Sequence, residues 1–204
     1  MRLKHIKGAE EEVNNSSYVI EEFNKNVFNN DNPIHIEIGM GKGNFIIDNA
    51  IKYPNINFIG IEKYDSVMVK AIRRLNELDL PNLRLIRMDA NKIDEVFKKQ
   101  IDTIYLNFSD PWPKERHAKR RLTSPIFLEK YSKIFKDKKR IIMKTDNRKL
   151  FEYSIMMFNE FHYHISKISL NLYEDDIEDN IPTEYEVKFS SRGYPIYMIE
   201  VIKD

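Results

Sequence analysis

Cysteine is missing from this chain of 204 residues, which excludes disulfides and thiolate metal sites. Glycine is scarce, at six, and tryptophan occurs once. No apolar run approaches the roughly 20 residues of a membrane span, and the N-terminus lacks the apolar core of a signal peptide. With no cysteine, this points to a cytoplasmic protein with no membrane partner. Net charge is only +1, so global electrostatics do not announce a polyanion and only local charge can. The length suits one domain with a core that needs no staples. No repeat, low-complexity segment or linker interrupts it. A monomer or a homodimer is equally compatible with the composition.

What is present is an alternation. Residues 1–33 read as an N-terminal extension, with basic Arg2, Lys4, His5 and Lys7 and a candidate helix over 10–23. Residues 34–204 read as a single domain. Apolar runs at 34–38, 57–61, 83–88, 101–108 and 140–144 have strand character. Helical patterns lie between them: 45–51, a segment capped by Asp65, a short piece near 93–97, 125–135 behind an N-cap at Ser124, and 148–158. Late strands at 163–168 and 196–202, with no helix between them, predict an antiparallel C-terminal hairpin. The acidic run Glu174, Asp175, Asp176, Glu178 and Asp179 reads as a solvated loop. The expected fold is therefore α/β, a mostly parallel sheet with helices on both faces.

Half of the glycines stand together. Gly39, Gly41 and Gly43 directly follow the first strand, where glycine permits positive φ and close approach to a ligand. The nicotinamide and flavin fingerprint is G-x-G-x-x-G, and Asn44 breaks it. Glu37, two residues before the first glycine, would repel a pyrophosphate but suit a cation. S-adenosylmethionine carries a sulfonium and an ammonium. Glu62 ends the second strand, where an acid can hold both ribose hydroxyls. Asp89 ends the third, placed to accept from an adenine amino group. Caps and solvated strand ends are the plain alternatives for each acid taken singly.

Asp110 ends the fourth strand. Pro111 and Pro113 then hold Trp112 in a stiff turn, and five of the eight residues 114–121 are Lys or Arg. A carboxylate, an aromatic face and a cationic strip at one edge suit a planar base and its phosphates.

Taken together, these residues resemble the bacterial tRNA (guanine-N7-)-methyltransferases. The resemblance rests on Glu37-Ile-Gly-Met-Gly-Lys-Gly, Gly60-Ile-Glu62, Met88-Asp89-Ala90, Ser109-Asp-Pro-Trp-Pro-Lys114, Lys144-Thr-Asp146 and Thr183-Glu-Tyr-Glu186-Val-Lys-Phe189. It covers nearly the whole chain from residue 34 to 201. It implies a Rossmann-like class I methyltransferase with a seven-stranded sheet. Cofactor contacts are implied for Glu37, Gly39, Gly41, Gly43, Glu62, Asp89, Ala90 and Asp110, with Asp110 also the catalytic residue. Substrate contacts are implied for Lys114, Asp146, Thr183, Glu184, Tyr185 and Glu186, and RNA contacts for Arg116, His117, Ala118, Lys119, Arg120 and Arg121. The implied partner is tRNA, the target its variable-loop guanine at position 46, and the coproduct S-adenosylhomocysteine. No metal is implied.

Other classes remain to be weighed. A nicotinamide-dependent dehydrogenase conflicts with the glycine spacing and with Glu37. A non-catalytic RNA-binding module, or another nucleic-acid methyltransferase, would share the basic strip. A metal hydrolase could be sought at His162 and His164, but no acid cluster adjoins them and alternating histidines are usually structural. Asp146 could equally be the N-cap of the helix from Arg148.

Overall fold

The computed structural model describes residues 5–24, 26–175, 177 and 180–204. Arg2, Lys4, Asp176, Glu178 and Asp179 lie outside the described residues. The chain runs α1 (Ala9–Asn14), β1 (Ile34–Ile38), α2 (Asn44–Lys52), β2 (Asn57–Glu62), α3 (Asp65–Leu75), β3 (Leu83–Arg87), α4 (Ile93–Val96), β4 (Ile101–Asn107), α5 (Pro125–Ile134), β5 (Phe135–Thr145), α6 (Arg148–Glu160), β6 (His164–Ser169), α7 (Glu184–Ser190) and β7 (Tyr197–Lys203). The strands form one seven-stranded sheet, ordered β3-β2-β1-β4-β5-β7-β6. β1 to β5 pair in parallel, and β7 runs antiparallel to both β5 and β6.

Strand alternation sorts the core into two layers, because successive side chains leave opposite faces of a sheet. Ile36, Ile38, Ile59, Ile61, Ile104, Leu106 and Ile141 pack with Ile93 and Phe97 and with the apolar stripes of α5 and α6. On the other face Phe58, Leu83 and Leu85 meet Ile46 and Ile47 of α2, Met68, Val69, Ile72 and Leu75 of α3, and Ala9 and Val13 of α1. Each such Ile, Leu, Val, Phe or Met side chain contributes roughly 1.5–3 kcal/mol on burial.

Four expectations need correcting. The helix over 10–23 stops at Asn14. Asn14, Asn15, Ser16 and Ser17 favour local side chain to backbone bonds over helix interior. Val19 instead bridges Leu85, so this segment covers the β3 edge of the sheet. Asp65 does not cap α3, since Tyr64 is the N-cap and makes no side-chain cap bond; Asp65 pairs with Arg87 at 2.8 Å. Asp146 does not cap α6, because Asn147 accepts from Leu150 N. A helix, α7, stands between the last two strands. It is closed by a capping box in which Thr183 accepts from Glu186 N and Glu186 accepts from Thr183 N. Capping-box geometry is legible in Thr-x-x-Glu, but α7 is only seven residues long and shows no sustained periodicity.

The turn after β1 decides where the site lies. Gly39, Gly41 and Gly43 all have positive φ. A Cβ at Gly43 would lie 2.7 Å from that of Ala71 on α3, whereas one at Gly41 would meet nothing within 4 Å. Gly41→Ala should therefore cost about 1–2 kcal/mol for the left-handed backbone. Gly43→Ala should cost more, since overpacking adds roughly another 1–3 kcal/mol. Urea denaturation of the two variants checks this order.

Candidate active site at the C-terminal edge of the sheet

β1 and β4 are neighbours, and their following helices lie on opposite faces. Such a switch point opens a crevice outside the strand ends. Here it is a cleft of about 880 Å³, lined by Gly39, Glu62, Asp89, Ala90, Phe108, Asp110, Trp112, Lys119 and Arg120 among others. A hollow of about 850 Å³ lies between α1 and residues 63–66, and it holds none of the four strand-end acids.

Each acid has a distinct setting. Glu37 is buried, at 2% exposure. Its Oε1 accepts from Asn107 Nδ2 at 2.9 Å, while Oε2 has no partner. Burial pushes the Glu37 carboxyl up to about 8, against the pull of Asn107 and Lys144. Glu62 accepts from three backbone amides: Gly41 at 3.2 Å, Lys63 at 2.8 Å and Tyr64 at 3.1 Å. Burial still raises its carboxyl above the ordinary value. Asp89 accepts from Lys63 Nζ at 2.7 Å and from Asn91 N at 2.9 Å, and the Lys63 bond lowers its carboxyl. Asp110 is exposed, and no hydrogen bond or ion pair ties it to another described residue. Asn107 and Lys63 were missed from sequence. The one available signal was their position, at a strand end beside an acid.

The turn carrying Asp110 is strained. Phe108 and Trp112 both adopt positive φ, 49° and 40°, which bulky residues rarely do. Arg120 lies over the Trp112 ring at 4.8 Å, and His117 meets it edge-on at 5.8 Å. Lys114, Arg116, Lys119 and Arg120 are exposed, and His117 and Ala118 half-buried. Arg121 is buried and points inward.

Known proteins share this family and fold. A family model described as a putative methyltransferase matches residues 31–199. A tRNA (guanine-N(7)-)-methyltransferase of Listeria monocytogenes is 54% identical over 85% of this chain and 82% of its own length. One from Bacillus licheniformis is 46% identical over 98% of both chains. The chain belongs to the tRNA (guanine-N7-)-methyltransferase family. Among solved structures, the 16S rRNA methyltransferase KamB superposes with a TM-score of 0.65 over 89% of this chain and 94% of its own, at 13% identity. An antibiotic-related methyltransferase does so with a TM-score of 0.63 over 87% of this chain and 90% of its own, at 17% identity. These two likenesses fix the Rossmann-like methyltransferase fold.

The donor set fits the cofactor of such a fold. A buried carboxylate with one orphan oxygen has no use for a phosphate and a clear use for a cation, and S-adenosylmethionine offers two. Glu37 would take that positive end, Glu62 the ribose, and Asp89 with Ala90 the adenine side.

The remaining family positions are not all in the cleft. Thr183 and Glu186 are the capping box of α7, and Glu186 is fully buried, at 0% exposure. Glu186 Oε2 accepts from Lys144 Nζ at 3.0 Å, and Lys144 also donates to Asn180 Oδ1 and to Ile181 O. Burial pulls the Lys144 amine below its ordinary value, while Glu186 and Glu37 oppose that shift. Glu184 is exposed and reaches the glycine turn, pairing with Lys42 at 2.5 Å and accepting from Asn44 at 3.3 Å. Tyr185 packs between Phe108 and Phe189, at 4.9 and 4.2 Å. Asp146 is half-buried; burial raises the Tyr185 phenol above its ordinary value, and the Asp146 carboxylate nearby adds to that shift. The structure thus gathers Gly39, Glu62, Asp89, Ala90 and Asp110 in one cleft, leaves Glu37, Gly41 and Gly43 out of its lining, and uses Thr183 and Glu186 to hold α7.

Because Glu37 titrates near 8 in the free protein, it is largely protonated at pH 7 and must ionise to meet a cation. S-adenosylmethionine binding near pH 7 should therefore release protons. The release should shrink as pH rises through 8 and be reduced in Glu37→Gln. Calorimetric titration in buffers of different ionisation enthalpy measures it.

Proposed function

We propose that this protein transfers the methyl group of S-adenosylmethionine to N7 of the variable-loop guanine of tRNA, position 46, in the cytoplasm. The observation that carries the reading is Asp110, an unpaired carboxylate on a rigid turn at the mouth of the cleft, beside Trp112, Lys119 and Arg120. The shared motifs and the names of the relatives support it. The absence of cysteine supports a cytoplasmic setting. Among the described residues no helix is long and apolar enough to cross a membrane.

Guanine N7 presents an acceptor lone pair and carries no proton. The transfer therefore needs no general base; it needs alignment and charge stabilisation. When bound, S-adenosylmethionine supplies the electrophilic methyl carbon and leaves as S-adenosylhomocysteine. Asp110 accepts from the guanine N1–H and exocyclic amino group. That bond orients N7 toward the cofactor cleft and strengthens as the base becomes cationic. Asp146, free of helix-capping duty, shares this role from the end of β5. The guanine leaves its stack at a cost of a few kcal/mol, and Trp112 offers a face worth roughly 1–3 kcal/mol for stacking. Lys114, Arg116, Lys119 and Arg120 meet phosphates from their exposed positions.

Labelled S-adenosylmethionine and unmodified tRNA transcript test this directly. Label should appear in 7-methylguanosine and disappear when the variable-loop guanine is replaced; label in a different nucleoside would overturn the base assignment. Asp110→Ala should lower turnover by about 10²–10³ with cofactor binding nearly intact, and equal losses in both would refute the division of roles. Replacing Arg116, Lys119 and Arg120 by Gln should flatten the salt dependence of tRNA binding, by about one unit of slope for each phosphate contact removed.

A further inference from the structure

Arg121 differs from the rest of the basic strip. Arg116, Lys119 and Arg120 are exposed, whereas Arg121 is 6% exposed. Its Nε donates to Pro111 O at 3.2 Å, and its Nη2 donates to Trp112 O at 3.1 Å. Its guanidinium lies 4.3 Å from the centre of the Tyr153 ring on α6. The nearest carboxylate is the exposed Glu115, at 3.6 Å. Two of its five N–H donors are thus spent on main-chain carbonyls of the turn, and little of the side chain is left open to solvent.

The choice of carbonyls is informative. Pro111 O belongs to the peptide plane before the Trp112 Cα, and Trp112 O to the plane after it. The orientation of these two planes is the φ and ψ of Trp112. One guanidinium bonded to both therefore clamps the torsions of a residue held at φ 40°. Trp112 needs such a clamp, since positive φ is costly for a bulky residue and Pro113 restricts the residue before it. Asp110 enters the cleft from the same turn, one residue before Pro111.

We infer that Arg121 is a positioning residue, which holds the Asp110–Pro113 turn in its working geometry and makes no contact with RNA. The rigid guanidinium fork suits this task, because two carbonyls on successive peptides need two fixed donors. A lysine ammonium keeps the charge but not the fork. The two roles therefore predict opposite results for Arg121→Lys.

The test uses the full chain and variants Arg121→Lys, Arg121→Gln and Arg116→Gln. Trp112 is the sole tryptophan, so its emission reports the turn without reference to any reaction. A clamp predicts that Arg121→Lys shifts and broadens Trp112 emission nearly as much as Arg121→Gln. Turnover on tRNA should fall tenfold or more in both, as misplacement by about 1 Å can cost about 10². The salt slope of tRNA binding should stay that of the unsubstituted protein, while Arg116→Gln lowers it and leaves the emission unchanged. An Arg121→Lys protein with unaltered emission and turnover would overturn the inference, and so would a lowered salt slope in Arg121→Gln. Should Arg121→Gln not fold, Arg121→Lys alone still decides. Only the turnover arm rests on the methyl-transfer reading; the emission arm fails or holds independently of it.

Discussion

One buried ammonium beside two buried carboxyl groups governs the arrangement of this site. Glu37 and Glu186 are both buried, and among the described residues Lys144 is the one buried ammonium, bonded to Glu186 and close enough to Glu37 to feel its charge. Buried charges persist only when paired, and removing one partner of such a pair typically costs 3–5 kcal/mol. Lys144 directs its hydrogen bonds to the α7 side, to Asn180, Ile181 and Glu186. That choice docks α7 against the end of β5 and leaves Glu37 with one orphan oxygen. The tilted contact of Tyr185 with Phe108 and the reach of Glu184 to the glycine turn both depend on α7 being held there.

Strain is concentrated on the opposite wall. Phe108 and Trp112, each in the left-handed region, bracket Asp110, and prolines on either side of Trp112 remove alternatives. Such backbone persists only when its surroundings over-determine it. Asp110 is thereby left exposed and unencumbered, with its direction set by the main chain. In the proposed reaction the two walls would divide the work: one would seat a cationic cofactor, the other would offer a fixed acceptor to the base. Glu62 and Asp89 end β2 and β3, on the far side of β1 from β4, each tied to backbone N–H groups that set its direction.

Much of this could be read along the chain. Alternating apolar runs revealed the parallel strands and their helices, since period and length suffice where a segment is buried on both faces. The acids at the ends of the first four strands and the glycine cluster marked the cleft, because a parallel sheet brings all its C-terminal ends to one edge. Other features were hidden. Asp65 and Asp146 looked like caps, yet Tyr64 and Asn147 took those positions, a shift of one residue that only the backbone decides. The end of α1 at Asn14 and the short α7 reflect competition between local bonding and tertiary packing.

The residue types and their order determined the fold class, the sheet edge bearing the site and the chemistry available there. Strand periodicity and the placement of glycine, proline and acids are local properties that fold with the chain. The tertiary structure alone decided which charges are spent internally. Arg121 belongs by sequence to a cationic strip and by packing to the turn it clamps. Glu186 belongs by motif to a substrate segment and by burial to Lys144. Burial and partner choice depend on elements far apart in the chain, here 42 residues for Lys144 and Glu186, and no local pattern encodes them.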